Sequence, residues 1–170
     1  MRELIWKLIA RVVTIPVVKE WLVLRALATP YTHIRSADGR DCYMARWWLF
    51  NAYGKDANGD PAPAGIPWLP SVRIHHILRA DEDRDLHDHP WNARTIVLEG
   101  WYEEELPGPV FRLRTMGVTG RILFGQYHRI NQLSAGGVVT MFITWKKRGT
   151  WGFLVNGKKV PWRTYLGIQS

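Results

Sequence analysis

At 170 residues the chain is long enough for one domain with its own core and too short for two ordinary ones. With 46% hydrophobic residues, 22% charged residues and ten Trp, it is neither generally disordered nor a collagen-like repeat, and it folds around aromatics. The formal charge of +8 is uneven: eight Lys/Arg face four Asp/Glu in residues 1–50, nine face eleven in residues 51–145, and six face none in residues 146–170. Basic ends therefore flank a mildly acidic middle; contact with nucleic acid or an anionic membrane surface is one reading of them, and ordinary solvated charge is the other.

Leu4, Ile5, Leu8, Ile9 and Val12 recur at helical spacing with Lys7 and Arg11 on another face, which predicts an amphipathic helix. Pro16 ends or kinks it, and a second apolar segment runs from Val17 to Leu27. Charges and Pro16 interrupt every window of the roughly 20 apolar residues that a membrane span needs, and no clean small-residue cleavage site follows. Residues 1–35 are thus expected to be a helical arm packed on the domain, with a membrane-surface or partner-binding helix as the functional alternative.

Residues 36–170 read as the main domain, a series of short β-rich runs between turn residues. Ala37-Asp38-Gly39-Arg40 is a turn, and the aromatic-dense run Cys42 to Phe50 is a strand. Cys42 is the only cysteine, which rules out an intramolecular disulfide or a cysteine-cluster metal site and points to a reducing compartment, the cytoplasm. Asn51 to Pro70, punctuated by Gly54, Asn58-Gly59, Pro61, Pro63, Gly65 and Pro67, predicts a long loop of the kind that covers a pocket mouth. Strands are expected at Val72–Leu78, Thr95–Tyr102, Phe111–Thr115, Arg121–Phe124, Val138–Thr144 and Gly152–Val155. Their turns fall at Pro107-Gly108-Pro109, Met116-Gly117, Ala135-Gly136-Gly137 and Asn156-Gly157, so the domain is all-β, a sandwich or barrel.

The chemistry concentrates between Arg79 and Gly100. His87 and His89 are two apart, so on an extended strand both project from one face while Asp88 takes the other. His128 lies near a later strand end, where a barrel can bring it opposite the pair. Three neutral imidazoles suit a divalent transition metal, Fe(II) first and then Zn, Ni, Cu or Mn. The run Asp81-Glu82-Asp83-Arg84-Asp85 reads as a solvated turn, or as the source of a carboxylate, Asp85, that orients a ligand histidine.

These residues resemble the two cupin motifs, G-x5-H-x-H-x3,4-E-x6-G and G-x5-P-x-G-x2-H-x3-N. His87-x-His89 and the Gly100 that ends Val97-Leu98-Glu99-Gly100 match the first, while Gly125-x2-His128 matches the second with Asn131 one residue early. The resemblance spans roughly Val72 to Thr144 and implies a single cupin-type barrel with His87, His89 and His128 as metal ligands. The first motif's glutamate position falls at Ala93, which leaves a three-histidine site similar to that of the cysteine dioxygenase branch. Arg46-Trp47-Trp48-Leu49, Leu86-His87-Asp88-His89-Pro90-Trp91, Phe142-Ile143-Thr144, Trp151-Gly152-Phe153 and Pro161 to Tyr165 resemble small cupin-like proteins of bacteria and their phages, a family that implies fold more than function.

Around the proposed centre, alternation sends His75 and His76 to opposite faces, so at most one joins the site, and Arg73 shares parity with His75. Arg73 is a clamp for a substrate acid group or else a surface arginine. Tyr127 and His76 are candidate proton carriers, Tyr102 is a further hydroxyl or a core residue, and Asn131 is expected to bond backbone near His128. Lys146-Lys147-Arg148 beside Trp145 and Trp151 reads as a basic aromatic patch or an exposed turn. The resemblance implies a metal-dependent dioxygenase, or an isomerase or lyase, acting on a small anionic substrate. The alternative is a non-catalytic binding or assembly module, as a homodimer or with its basic ends on nucleic acid, membrane or protein.

Overall fold

The computed structural model describes residues 1–36, 39–56, 61–108 and 110–168; the turn residues expected at Ala37-Asp38, Asn58-Gly59 and Pro109 lie outside them. Helix α1 (Arg2–Val13) has Glu3 in its first turn and Arg11 in its last, complementing the helix dipole. Pro16 both stops α1 and opens α2 (Pro16–Leu27), where its missing N–H costs nothing.

Among the described residues eleven strands follow: β1 (Ile34–Arg35), β2 (Cys42–Phe50), β3 (Ser71–Ile77), β4 (Trp91–Glu99), β5 (Trp101–Leu106), β6 (Val110–Thr115), β7 (Thr119–Ile122), β8 (Arg129–Leu133), β9 (Val138–Lys147), β10 (Gly152–Val155) and β11 (Lys158–Pro161), then a short helix α3 (Trp162–Tyr165). They form a six-stranded sheet in the order β1-β2-β3-β9-β4-β7, a three-stranded sheet β6-β5-β8 and the hairpin β10-β11, all antiparallel.

Alternation along the central strands sorts side chains between two cores. Ile74, Ile96, Leu98, Met141 and Ile143 face the arm and pack on Ala10, Leu22 and Ala26. Ile77, Val97 and Val138 face the other way and meet Tyr102 and Ile130 of the smaller sheet. That inner face also carries Arg73, His75, Ala93 and Phe142, and is where the site forms.

The expected strand Thr95–Tyr102 is split by Gly100, whose φ of +76° ends β4 and starts β5; a side chain there would strike Ser134 and the Gly137 carbonyl. The run expected at Arg121–Phe124 sits earlier, as β7, because Leu123 and Phe124 enter a turn in which Gln126 N–H reaches the Leu123 carbonyl at 2.9 Å. Sequence reading overlooked β8 and β11, which are short and polar, and it ended β9 three residues early, so Lys146 and Lys147 belong to a strand.

Candidate metal centre

His87 and His89 do not sit on a regular strand; their segment is stitched between two others. His87 and His128 exchange both backbone hydrogen bonds, each 2.9 Å, while Asp88 N–H reaches Gly152 O at 3.0 Å and Leu154 N–H reaches Leu86 O at 2.8 Å. Asp88 is fully buried on the far side, its carboxylate accepting from Gly152 N–H (2.7 Å) and Lys159 Nζ (2.6 Å). The expected parity therefore holds without the expected strand.

The result is a convergent triad. Ring centroids lie 5.2 Å apart for His87 and His89, 5.0 Å for His87 and His128, and 5.1 Å for His89 and His128, and one ligand nitrogen from each falls within 4.8 Å of the others. Nε2 of His89 and Nε2 of His128 are 2.9 Å apart. Adjacent ligands about 2.0–2.1 Å from one ion, set at a right angle, take that spacing. Burial is the main cause that lowers the His87 pKa to about 4, and burial together with His128 holds His89 well below its ordinary value. Both imidazoles are thus neutral near pH 7, the state a metal requires. Trp151 and Phe153 wall the site beside His87, and Trp91 and Phe142 wall it beside His89.

Behind His128 stands a carboxylate that sequence reading missed. Glu104 Oε1 lies 2.9 Å from His128 Nδ1, and its Oε2 accepts from Arg114 Nε at 2.9 Å and Nη2 at 2.6 Å. Burial pushes the Glu104 carboxyl up, but His128 and Arg114 outweigh it and hold the group below the usual range. The two atoms are in ion-pair contact without an aligned hydrogen bond; by its charge, a carboxylate beside Nδ1 favours the proton there and leaves the Nε2 lone pair for the centre. The available signal was Glu103-Glu104-Glu105 in a strand whose Tyr102 and Leu106 face inward, which puts the middle glutamate inside. Asp85, the residue expected in this role, instead accepts from Arg84 (3.1 Å) and the Tyr165 hydroxyl (3.0 Å).

Next to the triad lies a buried arginine that has no anion among the described residues. Arg73 is 3% exposed, and among the described residues its guanidinium makes no ion pair and its Nε has no hydrogen-bond partner. Five rings surround its guanidinium: Trp48 at 5.2 Å, Tyr53 and Phe142 at 5.5 Å, Trp91 at 5.6 Å and Tyr31 at 5.7 Å. Tyr53 comes from the long proline-rich segment and packs on Trp48 and Tyr31 beside this guanidinium. The buried polar atoms Arg73 Nε, His75 Nε2, Tyr53 Oη and Trp91 Nε1 have no hydrogen-bond partners among the described residues. Two of their side chains also touch the triad's neighbourhood: Trp91 stacks on His89, and His75 stacks on Phe142 at 4.9 Å.

The structure separates the other candidates. His76 points out of the barrel, 3.0 Å from the Gly136 carbonyl, so His75 takes the inward position. Tyr127 precedes His128 but shares none of the triad's ring contacts; burial and then Asp88 raise its pKa. Tyr102 is core, and Asn131 donates to Glu103 Oε1 at 2.8 Å instead of to backbone near His128. Ala93 is buried with Phe142 and Trp91, the rings beside His89, whereas Arg94 faces the arm and pairs with Glu3 at 2.7 Å. Lys146, Lys147 and Arg148 are exposed beside Trp145, away from the triad's contacts.

No family model matches the chain, and no curated protein matches it in sequence. Among solved structures it resembles a cupin-2 domain from Rhodospirillum rubrum, at 12% identity and TM-score 0.51 over 74% of each chain. A cupin-like protein from Thermotoga maritima is 18% identical, with TM-score 0.44 over 75% of this chain and 85% of that one. A DMSP lyase from Ruegeria pomeroyi is 16% identical, with TM-score 0.45 over 77% of this chain and 57% of that one. At these identities the likeness concerns fold alone, and the first of them carries it. Taken with the antiparallel sheets described above, it makes this chain an all-β, cupin-type barrel with a small helical N-terminus.

Proposed function

We propose that this chain is a metal-dependent enzyme of dioxygenase type, which uses Fe(II) held by His87, His89 and His128 and acts on a small anionic substrate. One observation carries the reading: a largely enclosed three-histidine cluster, in which His128 is buried and His87 and His89 are partly exposed, lies beside Glu104 and shares its wall with a buried arginine that no carboxylate among the described residues neutralises. When bound, the ion supplies Lewis acidity and, as Fe(II), one-electron chemistry with O2.

The chain's own residues do the rest. Glu104 fixes the tautomer of His128, and the rings of Trp91, Phe142, Trp151 and Phe153 exclude water. Ala93 places no ligating atom at the motif's glutamate position, so the centre stays cationic. An anion with two ligating atoms restores neutrality there. Arg73 binds the substrate's acid group through its fork of donors.

The reading is tested by elemental analysis of the purified chain against a His87→Ala/His89→Ala variant, followed by O2 consumption with Fe(II) across small thiols, amino acids, other organic acids and nucleotides. Metal in the parent only, and turnover whose KM rises at least about tenfold in Arg73→Met, is the expected result. Equal metal content in the two proteins removes the centre. Metal without O2 uptake on any acid moves the assignment to an isomerase or lyase, or to a binding module.

A further inference from the structure

The N-terminal arm is apolar on two opposite faces, and only one of them is covered. In α1, Trp6, Ile9, Ala10 and Val13 pack on the six-stranded sheet, while Leu4, Ile5, Leu8 and Val12 point away and are 46–71% exposed. In α2, Val18, Leu22, Val23 and Ala26 pack inward, while Val17, Trp21, Leu24 and Leu27 point away and are 47–70% exposed. Ile15, between the helices, is 46% exposed as well. Apolar side chains on the outer side of both helices of an arm are ordinarily covered, and large apolar residues left exposed together mark an interaction site.

Charge decides what covers it. Arg2, Lys7, Arg11 and Arg25 are exposed and make no ion pair among the described residues; Lys7 and Arg11, one turn apart, line the seam between the two faces of α1. Two of the arm's other charges are used internally, Glu3 on Arg94 and Lys19 on Glu99, which leaves Glu20 as the exposed acid without an ion pair. A second copy of the chain would bring the same four cations against these and would repel them. Nucleic acid would meet the cations and leave the apolar face wet. Anionic lipid satisfies both features, because acyl chains take the apolar side chains, headgroups take the cations, and Trp21 sits at the boundary that indoles prefer.

We propose that α1 and α2 form a membrane-surface anchor that lays the barrel on an anionic bilayer. Each helix has 12 residues and is about 18 Å long, short of the roughly 30 Å hydrocarbon core, so the arm lies in the interface and does not cross. Among the described residues no helix is long and apolar enough to span. The inference stands apart from the metal centre, since none of its residues touches the triad.

The test is flotation of the full 170-residue chain with phosphatidylcholine vesicles, with and without phosphatidylserine, alongside sedimentation velocity in the absence of lipid. Expected is binding that rises at least about tenfold with phosphatidylserine and weakens at high salt. Leu8→Glu/Leu24→Glu should abolish it, and Lys7→Glu/Arg11→Glu should remove its dependence on phosphatidylserine. Both pairs of side chains point outward, so circular dichroism of the variants checks that the fold is intact. Failure of the parent to float on phosphatidylserine vesicles overturns the proposal, as does equal flotation of Leu8→Glu/Leu24→Glu. A parent that ignores vesicles and sediments as a dimer, made monomeric by Leu8→Glu/Leu24→Glu, assigns the face to a second copy instead.

Discussion

Glu104 shows how one buried side chain ties the site to the barrel. It is fully buried and serves two partners, His128 on the metal side and Arg114 behind. Glu104→Gln keeps the shape but leaves Arg114 as an uncompensated buried charge, a situation that costs about 3–5 kcal/mol. It also removes the anion that orients His128, an effect worth about 10–100-fold in metal affinity. Chelator competition and urea unfolding should therefore both register the substitution, whereas Asp85→Asn, lacking any contact with the triad, should leave metal affinity unchanged. Retained affinity in Glu104→Gln would remove the carboxylate from the site. At this scale His87, His89 and His128 were legible because spacing and motif mark them, and Glu104 was not, because nothing in one strand says which distant histidine it will face.

Among the elements, β7 has a role that its four residues conceal. Gly120 of β7 has no side chain, and a Cβ there would overlap the guanidinium of Arg114, 2.7 Å from Nη2 and closer still to the other atoms of the group. The guanidinium cannot swing aside without leaving Glu104. Gly120→Ala is expected to destabilise the protein by about 1–3 kcal/mol, the usual cost of overpacking, and to lower metal affinity through Glu104 and His128. The control is Gly125→Ala, where the added methyl meets nothing within 4 Å but the φ of +77° is strained: it should cost stability without changing affinity. Equal affinity in Gly120→Ala and the parent would disconnect β7 from the site.

For the whole molecule, the enclosed, partly exposed histidines set a pH dependence. In the unfolded chain His87 takes up a proton near 6.5, but in the folded chain, because of burial, only at about 4. His89 is shifted in the same direction. Between those values the unfolded state binds more protons, so stability falls as pH falls through the window and is fully present above it. His87 alone accounts for about 3 kcal/mol at 1.36 kcal/mol per unit. Urea midpoints of the metal-free protein should be level above about pH 7 and drop between about 6.5 and 4, with Glu104 adding a loss below its ordinary range. Added metal should raise the midpoint most at neutral pH, since protons and metal compete for the same nitrogens. A flat profile across the window would show that the imidazoles titrate as exposed groups.

What the amino-acid sequence determined is whatever rests on local periodicity and spacing. The two helices follow from apolar repeats and Pro16, the all-β class from alternating runs between turn residues, and the histidine pair from a separation of two. The tertiary structure alone decided what depends on which strand lies beside which. It chose His75 over His76 for the interior, because alternation gives parity but not which face becomes the inside. It set Glu104 against His128 across β5 and β8, replaced Asp85 in that role, and gathered Arg73 with rings from five separate stretches of chain. It also left the outer face of the arm uncovered, since the sheet offers each helix only one side to pack on.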